Sequence, residues 1–249
     1  MTGTGDRGGR APAAPQPDAA HAGAPQPVAA PSHAGLDFCG ERLWLLPELA
    51  AWWPARRLLL VADVHAGKAA SYRMLGQPVP HGTTRDNLQR LDALLARFAP
   101  AGLILLGDFL HGPALRAATG PTLAALRDWR AGHAGLAVTL VRGNHDRRLA
   151  DLAARIGIGT VEEPLCLGGL ALRHHPRPVP AHGVLAGHSH PVHRLHGPGR
   201  DSVRLPCFVV DEAVLTLPAF GAFTGGHDVD PAPGRRIYVA GAGRVWPVR

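Results

Sequence analysis

Large apolar residues are scarce before position 35 and patterned after it. Residues 1–35 are mostly Ala, Pro and Gly. Such a stretch buries too little surface to offset the entropy of ordering it, so it reads as a disordered tail ahead of one domain spanning 36–249. The run 57–65 is short, continuously apolar and closed by Asp63 and His65, the mark of a strand buried on both faces. Residues 83–98 set Leu88, Leu91, Leu94, Leu95 and Phe98 on one helical face, with a threonine as N-cap. A second buried strand covers 102–108, a helix opening on Pro121 covers 121–132, and a third strand covers 137–141. A further helix is predicted over 147–156, with Leu149, Leu152 and Ile156 turned inward.

The second half changes character. Short strand candidates at 161–167, 170–173, 184–186, 203–210, 213–217, 236–240 and 245–248 are separated by Gly, Pro and Asp, with hairpin-like spacing. Strand–helix alternation followed by strands alone predicts a mixed α/β fold, with two packed sheets and helices outside.

Composition narrows the class. Apolar residues make up 46% of the 249-residue chain, enough for a sizeable core. No stretch approaches the roughly 18 consecutive apolar residues that span a bilayer, and nothing at the N-terminus resembles a secretory signal. These features predict a soluble cytoplasmic protein with no membrane partner. The three cysteines, Cys39, Cys166 and Cys207, are far apart and form no CxxC pair, which argues against a disulfide framework or a thiolate zinc site. Cys166 and Cys207 lie in apolar runs and read as small buried hydrophobes. The formal net charge is +7 and Lys68 is the sole lysine, so arginine carries the excess. That charge attracts phosphate-rich partners, although a composition this rich in Ala, Gly, Arg and Pro also accounts for it, and no Lys/Arg run marks a binding stripe.

Five short motifs carry the chemistry. Asp63-Val-His65 ends the first buried strand, where residues i and i+2 point to one side. Gly107-Asp108-Phe-Leu-His111 follows the second strand, and the two oxygens of a carboxylate can bridge two cations. Gly143-Asn144-His145-Asp146 follows the third, with a neutral oxygen ligand beside an imidazole. His174-His175 ends the strand over 170–173, and alternation lets only one of the two face a site there. Gly187-His188-Ser-His190 supplies two more imidazoles. Each motif alone has an ordinary alternative, such as an N-cap for Asp108 or a turn for Asn144. Five in succession, each beside an apolar run, point to a metal site, because buried Asp is costly unless paired or metal-bound.

This ordered pattern resembles the calcineurin-like metallophosphoesterase superfamily. The longer stretches Asp63-Val-His-Ala-Gly-Lys68, Gly76 to Thr84 and Leu217 to Gly226 resemble the PdeM family, described as ligase-associated DNA damage response phosphoesterases or endonucleases. The resemblance implies a four-layer sandwich of two mixed β-sheets flanked by helices. It implies that Asp63, His65 and His190 ligate one metal, that Asn144, His188 and His174 ligate the second, that Asp108 bridges them, and that His145 is catalytic. His175 stands where the family often has an acidic residue, which leaves the choice between His174 and His175 open.

The expected reaction is phosphodiester hydrolysis by a hydroxide held between two divalent ions about 3.5–4 Å apart. Mn2+ is the first choice, and Fe, Zn or Co also suit mixed N/O ligation. Lys68, Arg73 and Arg147 are candidate phosphate contacts, and His111 a candidate for orienting Asp108 or touching the leaving group. DNA is the expected substrate and a DNA ligase the expected functional associate. A cyclic nucleotide or other small diester is the alternative substrate. A non-catalytic scaffold predicts missing ligands, and none is missing.

Overall fold

The computed structural model describes residues 1–2, 32–112, 115, 120–146 and 149–248. Residues 3–31 of the expected tail lie outside the described residues, as does Arg147.

The first sheet begins with four antiparallel neighbours, β1 (Ala34–Phe38), β2 (Glu41–Leu46), β3 (Ala50–Trp53) and β4 (Leu58–Val61). It continues in parallel through β5 (Gly102–Leu106), β6 (Ala137–Val141) and β7 (Gly159–Val161). The parallel strands are connected through α1 (Lys68–Met74), α2 (Thr83–Phe98), α3 (Pro121–Gly132) and α4 (Ala150–Arg155). The second sheet comprises β8 (Leu165–Leu167), β9 (Leu170–Leu172), β10 (Gly183–Ala186), β11 (Pro191–His196), β12 (Ser202–Asp211), β13 (Val214–Thr216), β14 (His227–Asp228), β15 (Arg236–Gly241) and β16 (Arg244–Pro247). Its main path runs β14-β11-β12-β13-β10-β9-β8, with β15 and β16 attached at β12.

Alternation along β4 explains its unbroken apolar run. Leu59 and Val61 join the core under the helices, with Leu91, Leu94, Leu103 and Leu126. Leu60 and Ala62 join the core between the sheets, with Leu106, Leu172, Leu185 and Phe208. A strand that faces two cores has no polar face to show. The outer face of the second sheet carries two smaller apolar clusters, around Val184 and around Val239, and neither contains a helical residue. The described residues thus form the expected mixed α/β arrangement of two mixed sheets, with the four named helices packed against the first.

Several local expectations change. The strands β1–β3, β11 and β14 had no predicted counterpart. In β1 only Leu36 and Phe38 turn inward, too few for a periodic signal. Its start at Ala34 lies just inside the segment assigned to the tail. The single run 161–167 divides, with β7 closing the first sheet and β8 edging the second. The helix expected from 147 begins at Ala150. The N-cap of α2 is Gly82, with φ 88° and no side-chain cap bond. The hydroxyl of Thr84 instead accepts the Gly67 N–H at 3.2 Å. Cys207 is buried as expected, but Cys166 is exposed, because it lies on the edge strand β8.

Candidate metal centre

The motif residues gather where parallel strands of the two sheets end. Asp63 and His65 follow β4, Asp108 follows β5, and Asn144 and His145 follow β6; His174 follows β9, and His188 and His190 follow β10. Crevices at the carboxyl ends of parallel strands are the usual ligand sites of such sheets. A direct link joins the sheets here, since His174 Nδ1–H donates to the Leu106 carbonyl at 3.2 Å.

Convergence does not come from strand alternation, as the sequence suggested. Asp63 and His65 lie past the last residue of β4, and the backbone there is left-handed. Asp63 has φ 53°, His65 50°, Asp108 47°, His188 72° and His190 46°. Each such non-glycine residue costs on the order of 1–3 kcal/mol and persists only where its surroundings enforce it, typically at functional sites. The enforcing bonds are present. The Asp63 N–H donates to Gly107 O at 3.2 Å and the His65 N–H to Asp108 O at 2.9 Å. Gly107 has φ +77°, and a Cβ at that position would collide with the His174 imidazole.

Two donor sets result. In the first, His65 Nε2 lies 3.3 Å from His190 Nε2, and His190 Nε2 lies 3.4 Å from Asp63 Oδ1. In the second, His174 Nε2 lies 3.0 Å from Asn144 Oδ1, 2.9 Å from His188 Nδ1 and 3.5 Å from Asp108 Oδ2. Asp63 Oδ1 is also 3.8 Å from His174 Nδ1, so the sets adjoin. Of the pair left open by the sequence, His174 is fully buried among these donors. His175 instead donates from Nδ1 to Glu163 Oε1 at 2.8 Å. Asp63, His65 and Asp108 form a buried floor, while Asn144, His145 and His188 are exposed at the rim.

The electrostatics favour the neutral form of three imidazoles, His65, His111 and His188. Burial, followed by Lys68 and the neighbouring histidines, drives His65 far below its ordinary value. Burial and the neighbouring His174 and His175 also lower His188. Neutral imidazoles present the lone pairs that metal ligation needs. His111 is held down at about 4 by burial, His145 and Lys68. It lies 3.1 Å from His65 through the two Nδ1 atoms and tilted against His145 at 4.2 Å between centroids. It thus abuts His65 and His145.

The remaining candidates lie at the margin. The Lys68 ammonium is half-buried and donates to Thr224 O at 3.2 Å. Arg73 donates to Pro80 O and lines a separate cavity of about 340 Å3 with His81, Arg85 and the first residues of α2 and α3. A larger cavity of about 740 Å3 lies beyond the His188–His190 loop, and its wall holds Asp211, Asp228 and Asp230. None of the metal donors lines it; Arg235, also in its wall, pairs with Asp211.

Two carboxylates went unassigned in the sequence reading. Asp146 is fully buried; its Oδ1 accepts the Leu110 N–H at 3.0 Å and its Oδ2 the Gly143 N–H at 2.9 Å. It ties the loop after β5 to the loop after β6. Burial raises it to about 6, against the pull of those bonds. Its place in the third motif was the available signal. Glu163 had none, being remote in sequence from the histidines it meets. Burial pushes it up, but bonds from His175 and His174 outweigh this and hold it at about 2.

Residues 56–198, more than half of the chain, match the family model described as Calcineurin-like phosphoesterase. The chain belongs to that family. A solved structure, the Pseudomonas putida nuclease MPE, is 52% identical to this phosphoesterase, with 87% of this chain and 100% of the nuclease covered and a TM-score of 0.74. The Escherichia coli phosphoesterase Yfce is 17% identical over 73% of this chain and 86% of its own, with a TM-score of 0.36. An Aquifex aeolicus protein of unknown function, AQ665, is 17% identical over 53% of this chain and 78% of its own, with a TM-score of 0.38. No curated protein matches.

The protein is thus a metal-dependent phosphoesterase, and its family uses a binuclear divalent centre. The residues present fit such a centre. Asp63 Oδ1 is a buried oxygen without a hydrogen-bond partner, a costly state unless a cation meets it. His174 gives its proton to Leu106 from Nδ1, so a neutral ring brings only a lone pair at Nε2 to the Asn144 oxygen. Two acceptors at 3.0 Å suit a shared cation, and a ligand histidine anchored by a backbone carbonyl is the usual arrangement at metal sites.

Proposed function

We propose that this phosphoesterase is a DNA nuclease that hydrolyses phosphodiester bonds with two Mn2+ ions and acts in repair alongside a DNA ligase in the cytoplasm. The observation that carries the hydrolytic reading is the pair of adjoining donor sets around the orphaned Asp63 oxygen. Likeness to a protein described as a nuclease, the stretches similar to the PdeM family and the net charge of +7 support nucleic acid as substrate.

In this reading Asp63, His65 and His190 would hold one cation and Asn144, His174 and His188 the other, with Asp108 a shared carboxylate donor. When bound, the cations supply Lewis acidity and lower the pKa of a water. The chain does the rest. Neutral donors outnumber the two carboxylates, so the site keeps net positive charge for an anionic diester. His145 has 43% of its side chain exposed, with Nε2 3.9 Å from Asp108 Oδ2. Its backbone N–H is held by Asp108 Oδ1 at 2.9 Å. From that rim position it holds a proton for the leaving alkoxide oxygen. Lys68, lying near Asp108 and Asp63, adds positive charge beside the donor sets.

The test is Mn2+-dependent cleavage of single-stranded DNA, duplex DNA, 2′,3′-cyclic nucleotides and an aryl diester, side by side. His145→Ala should lower turnover by about 10²–10⁴-fold, and Asp108→Ala should abolish it while the fold survives by circular dichroism. Unchanged turnover in either variant rejects the mechanism. Turnover of small diesters with no DNA cut at any salt rejects the nuclease reading and leaves the phosphodiesterase.

A further inference from the structure

One carboxylate organises the chain that carries His174 and His175. Glu163 lies between β7 and β8, where the chain passes from the first sheet to the second. Its Oε2 accepts the backbone N–H of His174 at 2.8 Å and of His175 at 3.0 Å. Its Oε1 accepts Nδ1–H of His175 at 2.8 Å and lies 3.6 Å from Arg173 Nη2. The side chain is only 14% exposed. Two successive N–H groups on one oxygen fix the turn that follows β9, and with it the burial of His174.

The bond to the His175 ring has a second consequence. An ionised carboxylate only accepts, so His175 carries its proton on Nδ1 and keeps a free lone pair on Nε2. The His175 ring centroid is 4.5 Å from that of His188 and 4.8 Å from that of His174. One ring nitrogen from each of the three lies within 4.8 Å of the other two. A carboxylate that fixes the tautomer of a ligating histidine is a recurrent support of metal sites.

We propose that Glu163 is the positioning residue of the second cation subsite, and that the tautomer it imposes makes His175 an additional nitrogen donor beside His174 and His188. This rests on the two-cation reading and adds a ligand to it. The side chain of Glu163 itself touches neither cation nor substrate.

The test is calorimetric titration of the metal-stripped full-length protein with Mn2+, repeated with Co2+ so that visible absorption reports the ligand field. Glu163→Gln is the decisive variant. Its amide oxygen can still accept the two backbone N–H groups, but its NH2 faces His175 Nδ1 and reverses the tautomer. Wild type should bind two equivalents. Glu163→Gln and His175→Ala should each weaken one of the two steps by roughly 10–100-fold, spare the other, and alter the Co2+ spectrum. Wild-type affinity and spectrum in His175→Ala overturn the donor assignment. Wild-type behaviour in Glu163→Gln overturns the tautomer's role. If wild type binds fewer than two equivalents, the two-cation reading itself fails, an outcome separate from either.

Discussion

Cys207 has no exposed surface, and burial pushes its thiol up to about 12 despite Arg235 nearby. Cys39 and Cys166 are exposed. An Ellman titration of native protein at pH 8 should therefore count two thiols, and the same titration in guanidinium three. The sign of the linkage is set by the raised value. Its contribution to stability is whole below the unfolded thiol's ordinary value near 9 and falls as pH rises toward 12. A third fast thiol in native protein would show the core around Val209, Ile237 and Val239 to be open. At this scale the sequence announced the donors, since Asp63, His65, Asp108, Asn144, His188 and His190 stand in short motifs beside apolar runs. It did not announce Glu163, whose partners are brought to it by the crossing between sheets. It misplaced Cys166, because an edge strand and a central one can share the same apolar spelling.

The loops after the strands depend on glycines that admit close neighbours. A Cβ at Gly187 would lie 2.5 Å from Asp63 Oδ2 and 2.6 Å from Ala62 Cβ. Asp63 Oδ2 accepts the His188 N–H at 2.8 Å, so the added methyl pushes on the carboxylate that belongs to the first donor set. Gly187→Ala should cost about 1–3 kcal/mol, the usual penalty of overpacking, and should weaken Mn2+ binding in calorimetry. Gly132→Ala at the end of α3 meets nothing within 4 Å and should stabilise by about 0.4–1 kcal/mol. Equal melting temperatures for the two variants would contradict the packing described. The elements themselves were unevenly legible. The stretches 83–98, 121–132 and 137–141 were bounded as found, since each buries a single periodic face or a complete run. The hairpins β1–β3 were not, because each inward face holds only two or three apolar residues.

Across the whole molecule, the donor sets join the ends of β4, β5 and β6 in one sheet to the ends of β9 and β10 in the other. A cation held there would tie the two sheets together. At a hundredfold excess over its Kd, a ligand specific for the native state adds about 2.7 kcal/mol. For a chain of this size that raises Tm by roughly 5–11 °C. Mn2+ should produce such a shift in a thermal melt, and EDTA should reverse it; no shift at saturating Mn2+ would mean that the donors do not form a site together. The sequence by itself determined which residue types end which buried strands, because a strand facing two cores must be apolar until its last turn releases Asp, Asn or His. It also marked two sheets with helices outside. Only the tertiary structure decided that the described helices pack against the first sheet, that His174 meets the Asn144 and Asp108 oxygens while His175 turns its Nδ1 to Glu163, and that left-handed backbone at five non-glycine residues aims the donors. Those outcomes depend on contacts between segments far apart in the chain, which no local pattern encodes.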